Sequence, residues 1–582
     1  MKPFDNGCIA TNSSRGVATS SAKPTTSVPS SIATKMKIDR SPVKQIAKKP
    51  ALTNGHVVNH NHNNHVIKPK TKVDLQRVEV KRREQRKRAG ESFEECTLWD
   101  AFCTYLCYAV LVLVGYVNDL VRPRTATEQN RDGYVPLYAS FESFYTRHVY
   151  RRVRDCWNMP VGSVPGKYIT LLERESKDYG WTFNMTGKKV HCINLGSYNY
   201  LGFAENHGTC AEAAIKAVRE QGVGTCSPRK ELGNAHHLDE LDQLVARFVG
   251  SEAAITCAMG FATNSMNIPA ILNKGCLVLS DEKNHASIIL GLRLSRATIR
   301  VFKHNNMRSL EKRLREGIVN GQPRTHLPWE KIFIVIEGVY SMEGSVVRLP
   351  EILALKRKYG AYVYLDEAHS IGAMGPNGRG VIDYWGCNPK DVDVLMGTFT
   401  KSFGSAGGYI AGSKELITLL RRGSHAHAYG TAMSPPVAQQ ILTSMKMIMG
   451  EDGTDEGVKK IRQLARNSRY FRQKLKQAGF IVYGNDDSPV IPVALYMPTK
   501  IAYVVREMIK RGVATVGVGF PATPLVEGRT RFCISASHTK EMLDHALGAM
   551  CEIGQQITIR CSRLPIRKEE ILYDDSENED VE

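Results

Sequence analysis

The sequence predicts an α/β protein with a mostly parallel sheet in a large domain and a smaller α+β domain at its C-terminal end. Three observations carry this. The apolar runs KIFIVIEGV (331–339), AYVYLDEAH (361–369) and VDVLMGTFT (392–400) end on polar residues and read as buried strands. Helical stretches such as PEILALKRKYG (350–360) alternate with them. After SPP (434–436) the pattern changes to one long helical stretch and then shorter strands, setting a domain boundary near residue 437. At 582 residues and 42% hydrophobic content, the chain is long and apolar enough for more than one structural unit.

In chain order, residues 1–95 form a basic, low-complexity arm expected to be disordered. Of the net charge of +20, +14 sits in residues 1–90, which hold 19 Lys and Arg against 5 Asp and Glu. The remaining 59 against 53 are nearly balanced. No basic surface interleaved with aromatics supports the arm, so no nucleic-acid partner is expected. Its histidines His56, His60, His62 and His65 lie in an Asn/His tract and read as compositional, with no metal site expected. Residues 1–35 are polar and lack the apolar core of a cleavable signal peptide. The 14 cysteines form no CxxC pair, the pattern of reduced thiols in a cytosolic environment.

Residues 96–124 are expected to associate with a membrane. They contain AFCTYLCYAVLVLVGYVN (101–118), 18 residues without a charge, at the lower limit for spanning a bilayer. KRREQRKR (81–88) precedes it and RPR (122–124) follows it. That asymmetry would leave the N-terminus cytosolic and the body outside if the segment spanned. The free thiols ask for the opposite, and a segment lying in the interface removes the conflict. Spanning and interfacial placements both stay open, with a buried core helix behind them. Residues 125–190 connect to a large domain at 191–436, followed by a small domain at 437–560 and an acidic tail at 561–582.

In open parallel sheets, ligands gather at the carboxyl ends of strands, where the polar residues of these runs fall. LDEAH (365–369) also fits a helicase motif, but that requires an upstream GxxxxGK[ST], which the chain lacks. Asp366, His369 and Lys401 suit another chemistry. A pyridoxal 5'-phosphate enzyme needs a carboxylate to keep the pyridine nitrogen protonated, a lysine to bond the aldehyde, and a phosphate site of hydroxyls and backbone N–H groups. Asp366 and Lys401 match the first two needs. GFATN (260–264), ahead of a helix, matches the third: Gly260 permits close approach and Phe261 and Ala262 offer N–H donors. Thr398 and Thr400 flank the lysine with hydroxyls. Singly these signals are weak, since a strand-end Asp is usually a helix cap and a lysine usually solvated. Their ordered co-occurrence is specific.

GTFTKSFGSAGGYIAG (397–412), DEAHSIGAMGPNGRG (366–380), DEKNHAS (281–287) and EGVYSMEG (337–344) closely resemble the α-oxoamine synthase family of fold-type I pyridoxal phosphate enzymes, over about residues 190–550. HNNM (304–307) and VGFPATP (518–524) resemble its membrane-associated branch. The resemblance implies a catalytic set of Lys401, His285 and Asp366. His285 would stack on the cofactor ring, Asp366 would pair with the ring nitrogen, His369 with the phenolic oxygen, and Thr398 would touch the phosphate. Arg531, in RFCISASH (531–538), would bind the amino-acid carboxylate, and Asn199 and Tyr200 would line the substrate entrance. Thr431 and Ser434 would reach a phosphate across a subunit interface or cap a helix. Where relatives read Ser-Thr-Arg, this chain has Ser227-Pro228-Arg229, and the histidine expected nearby is displaced to His236 or His237. The proline removes a backbone donor there.

The activity implied is a decarboxylating condensation of L-serine with palmitoyl-CoA to 3-ketodihydrosphingosine, the first step of sphingolipid synthesis. Glycine with another acyl-CoA is the alternative within the family. A non-catalytic scaffold subunit is the alternative outside it, and Lys401 argues against that. The resemblance further implies a heterodimer with a homologous, lysine-less subunit, and small regulatory membrane subunits. It also implies an endoplasmic reticulum site with the catalytic domain facing the cytosol.

Overall fold

The computed structural model describes residues 90–121, 144–178, 180–565, 571 and 573. Residues 1–89 of the basic arm with its histidine tract, the RPR run, residues 125–143 of the connecting region and most of the acidic tail lie outside the described residues.

The central sheet has seven strands: β3 (Ala253–Cys257), β4 (Cys276–Asp281), β5 (Thr298–Phe302), β6 (Lys331–Glu337), β7 (Tyr362–Asp366), β8 (Val394–Thr398) and β9 (Gly408–Gly412), following β1 (Tyr168–Glu175) and β2 (Asn184–Asn194) in the chain. Their order is β3-β9-β8-β7-β6-β4-β5. All neighbours run parallel except β9, which is antiparallel to β8 and β3. Alternation within the apolar runs explains why both faces are covered. Ile334 and Ile336 of β6 pack into one core, while Phe333 and Val335 pack into a second on the opposite face.

Because β4, β6, β7 and β8 are parallel, their carboxyl ends lie along one edge, presenting Asp281, Glu337, Asp366 and Thr398. The register sets Glu337 directly beside Asp366. Two smaller three-stranded sheets complete the body. One joins β10 (Val490–Tyr496), β13 (Gly528–Cys533) and β12 (Val516–Val518); the other joins β1, β2 and β11 (Val513–Ala514). The helix after SPP, Pro435–Met449, buries Ile441, Leu442 and Met445 in the large core.

The apolar segment is a helix over Leu98–Val121, longer than its uncharged stretch at both ends. Its 24 residues span about 36 Å, long and apolar enough to cross a membrane, and only Thr104 and Gly115 are buried. Both ends touch the body. Before the helix, Phe93 stacks on Tyr483 at 5.0 Å, and Cys96 packs against the cluster of Ile481, Tyr483 and Tyr496. Near its last turn, Asp119 pairs with Arg147 and His148, both at 2.9 Å.

The turn that carries Lys401 is wound between β8 and β9. Phe399 and Phe403 are fully buried, and backbone bonds Phe399 N–H to Gly407 O (3.0 Å) and Ser405 N–H to Phe399 O (3.0 Å) close it. Gly404 sits at φ +61°, and a Cβ there would lie 2.6 Å from the backbone nitrogen of Ala204. Backbone cannot yield as a flexible side chain would. Gly404→Ala is therefore expected to cost about 2 kcal/mol or more, read as a lower melting temperature of the purified protein. An unchanged melting temperature would contradict this packing.

Candidate active site

The strand-end edge gathers most of the residues singled out in the sequence. Asp366 is buried at the end of β7; its Oδ1 accepts the N–H of Ala368 at 2.9 Å and its Oδ2 accepts the side-chain amide of Asn264 at 2.8 Å. His369, one turn on and buried, has its Nδ1 2.8 Å from the hydroxyl of Tyr200. Burial, with repulsion from Lys401 and Arg531, pulls His369 well below the usual histidine range, so it is neutral. His285 caps a helix over Ala286–Ser295, and its imidazole stays open to solvent, edge-on to Phe261 with ring centroids 6.0 Å apart. Desolvation also lowers its pKa; Asp366 opposes the shift and Lys401 adds to it.

Lys401 keeps part of its surface open, but its amine is deep enough for desolvation to pull its pKa down to about 8, against the pull of Asp366 and Glu337. The amine lies 5.6 Å from the ring centre of Tyr198. Arg531 lies 4.7 Å from the same ring centre; it is buried, and its Nε has no hydrogen-bond partner. Lys401 and Arg531 thus share one aromatic floor.

Between about pH 8 and 10.5 the unfolded chain keeps a proton on this lysine that the folded chain has released. Stability of the cofactor-free protein therefore rises with pH across that window. In Lys401→Met the penalty is absent. Its melting-temperature advantage over wild type is expected to be largest below pH 8 and to close as pH approaches 10.5. A gap independent of pH would rule the buried amine out as its source.

GFATN opens the helix Gly260–Ile271 itself, with Gly260 to Thr263 in its first turn, rather than forming a loop ahead of it. First-turn N–H groups have no acceptor within their own helix, so those of Gly260, Phe261 and Ala262 suit an anion. A Cβ on Gly260 would lie 2.8 Å from Thr398 Oγ1, so only glycine leaves this corner open. Thr398 Oγ1 donates to the Gly407 carbonyl at 2.9 Å and lies 2.9 Å from the Thr400 hydroxyl.

Several expected residues are placed elsewhere or differently. Asn199 is occupied structurally: its amide donates to Pro165 O at 2.9 Å and its carbonyl accepts from Ala204 N–H at 3.2 Å. Tyr200 stands behind His369, while Tyr198, two positions earlier, faces Lys401 and Arg531. Thr431 is exposed and pairs with Pro228 in an isolated bridge, and the Ser434 hydroxyl donates to Val223 O without capping its helix. Arg229 is held by Asp242 at 3.0 Å and by Thr256 at 3.1 Å. His236 and His237 open the helix His236–Val249. No cluster of metal ligands occurs among the described residues.

Three residues of the site were not singled out in the sequence: Tyr198, Asn264 and Glu337. Glu337 is buried and accepts the backbone N–H of His285. Burial, then repulsion from Asp366, lifts its pKa well above the usual carboxylate value. A desolvated amine beside a buried carboxylate, an open glycine corner at a helix N-terminus and a buried guanidinium with an unpartnered Nε fit pyridoxal phosphate and an amino acid.

Comparison with known proteins agrees. Residues 190–550 match the family model for aminotransferase class I and II. The chain is 52% identical over 494 residues to human serine palmitoyltransferase 3, covering 84% of this chain and 90% of that protein. Among solved structures, Sphingomonas wittichii serine palmitoyltransferase is 27% identical with a TM-score of 0.63, covering 74% of this chain and 99% of that one. A structure of SPT with its PLP internal aldimine is 28% identical with a TM-score of 0.62, covering 72% and 99%. On this similarity the chain belongs to the serine palmitoyltransferase family, within the aminotransferase class I and II group of folds.

Proposed function

We propose that this chain is the lysine-bearing catalytic subunit that condenses L-serine with palmitoyl-CoA, releasing carbon dioxide and CoA, to form 3-ketodihydrosphingosine. One observation carries the reading: the desolvated Lys401 amine stands among Asp366, His285 and Arg531, in a chain whose relatives are serine palmitoyltransferases over most of their length.

Pyridoxal phosphate would be held by Lys401, by Asp366 and His369 on the sheet edge, by His285 across its face, and by Thr398 with the N–H groups of Gly260, Phe261 and Ala262. When bound, it supplies the electron sink for bond breaking at the amino-acid Cα. Arg531 grips the serine carboxylate, for which a guanidinium fork is suited, and His285 helps orient it. The Lys401 amine, whose neutral form is favoured by burial, removes the Cα proton and returns it after carbon dioxide leaves. Tyr198 lies under both Lys401 and Arg531 and holds the two side chains over one ring.

The same reading places the chain on the endoplasmic reticulum membrane through helix Leu98–Val121, its catalytic body facing the cytosol. A homologous, lysine-less subunit would be its partner, with small regulatory membrane subunits as further partners. The helix supports this by its length, its apolar surface and its attachment to the body at both ends.

The test is co-expression with a candidate lysine-less partner, followed by mass spectrometry of the long-chain base made from palmitoyl-CoA and serine carrying distinct isotopes at its carboxyl and Cβ carbons. The product should keep the Cβ label and lose the carboxyl label. Product from glycine but not serine would overturn the substrate assignment, and retention of the carboxyl label would overturn the reaction.

A further inference from the structure

Asn264 lies in the second turn of the helix Gly260–Ile271 and is almost wholly buried, at 1% exposure. Every polar atom of its amide is used. Nδ2 donates to Asp366 Oδ2 at 2.8 Å and to Ser287 Oγ at 3.0 Å, and Oδ1 accepts the Tyr364 hydroxyl at 2.6 Å. The chemistry of the partners fixes which way the amide faces. Asp366 accepts the Ala368 N–H on Oδ1 and the Asn264 amide N–H on Oδ2, which turns the amide oxygen to the Tyr364 hydroxyl as its acceptor.

The Ser287 hydroxyl passes this constraint on. It accepts from Asn264, so its own proton is free for its other neighbour, His285 Nδ1, 2.7 Å away. The Ser287 backbone N–H also donates to that nitrogen, at 3.2 Å. Two donors on Nδ1 leave a neutral imidazole with its proton on Nε2. The chain of bonds runs Tyr364, Asn264, Ser287, His285, with Asp366 as its branch.

We propose that Asn264 is a positioning residue that ties the Asp366 carboxylate and the His285 imidazole into one hydrogen-bonded unit, fixing the aim of the first and the tautomer of the second. This rests on the reading of the site as one for pyridoxal phosphate, in which both groups face the cofactor. Asn264 touches neither cofactor nor substrate in this role. It decides the orientation of two residues that do, from two different strand ends of the sheet. Ser287 and Tyr364 are the intermediates that make the coupling specific.

The charged and titratable groups facing His285 are Asp366 from β7, Lys401 from the turn after β8, His369 from the loop after β7 and Glu337 from β6. Ser287 acts against this background as the hydroxyl donor to Nδ1. Such a donor stabilises the neutral ring, so its removal raises the His285 pKa.

Two variants of the co-expressed complex test this. In Asn264→Ala, pyridoxal phosphate titrated into the cofactor-free protein and followed by absorbance should bind about 10- to 100-fold more weakly, as expected for one lost charge-assisted bond to Asp366. In Ser287→Ala, which keeps that bond, cofactor affinity should stay within about 3-fold of wild type. The acid limb of its kcat/KM profile for serine should move to higher pH by about half a unit or more. Should Asn264→Ala fail to fold, Ser287→Ala decides alone. An unmoved acid limb in Ser287→Ala, or unchanged cofactor affinity in a folded Asn264→Ala, overturns the proposal. Wild-type protein that takes up no pyridoxal phosphate overturns instead the reading on which it rests.

Discussion

Replacing Lys401 with alanine is expected to abolish formation of the long-chain base, by at least about a thousandfold, while the protein stays folded. The two halves of this expectation have one cause. The amine is held in a desolvated site, its pKa drawn down to about 8, with the Tyr198 ring centre 5.6 Å away. Such an arrangement costs stability and is useful only to chemistry. Removing the amine relieves the desolvation and opens little core, because Phe399 and Phe403 anchor the turn independently. Melting temperature should hold or rise as activity vanishes. Loss of activity accompanied by collapse of the fold would mean the lysine is structural, and retained activity would remove it from the mechanism.

Arg531→Ala should lower kcat/KM for serine by about 100-fold and leave KM for the acyl-CoA unchanged, measured by varying each substrate in turn. Arg531 sits on β13 facing Tyr198 at 4.7 Å, and its Nη1 has a 3.4 Å contact to Ser341 O, a weak tether for a buried cation. A buried guanidinium whose Nε has no partner among the described residues is suited to a carboxylate that arrives with the substrate. Arg531→Lys retains the charge but loses the two-pronged geometry, and should recover only a minor part of the activity. An equal loss toward both substrates would assign the arginine to the architecture of the small sheet.

Much of this site was legible in the sequence because strand-end residues announce themselves. Asp366 closes an apolar run, and Lys401 stands among glycines and hydroxyls in a segment otherwise built for close packing. Glu337 closes the run KIFIVIE in the same manner, so the rule that selected Asp366 applies to it too. Its raised pKa comes first from burial and then from lying beside Asp366, a fact of strand register that no local pattern contains. Asn264 was within a motif chosen for its backbone, but its side-chain partners Ser287, Tyr364 and Asp366 lie 23, 100 and 102 residues away. Tyr198 and Tyr200 stand two positions apart in one short stretch, SYNYL (197–201). Which of them faces the lysine is settled by the turn that carries them and by His369 claiming the Tyr200 hydroxyl. The apolar helix was readable from composition, whereas its attachment through Asp119 to Arg147 and His148 depends on residues 28 and 29 positions apart.

The central claim is that Lys401 bonds the cofactor, and borohydride tests it most directly. Borohydride reduces a carbon–nitrogen double bond to a stable secondary amine, so treatment of the pyridoxal phosphate-loaded complex followed by peptide mass spectrometry marks the lysine involved. The label should appear on the peptide carrying Lys401 and be absent after prior displacement by serine. A label on any other lysine of this chain, or on the partner subunit alone, would contradict the account.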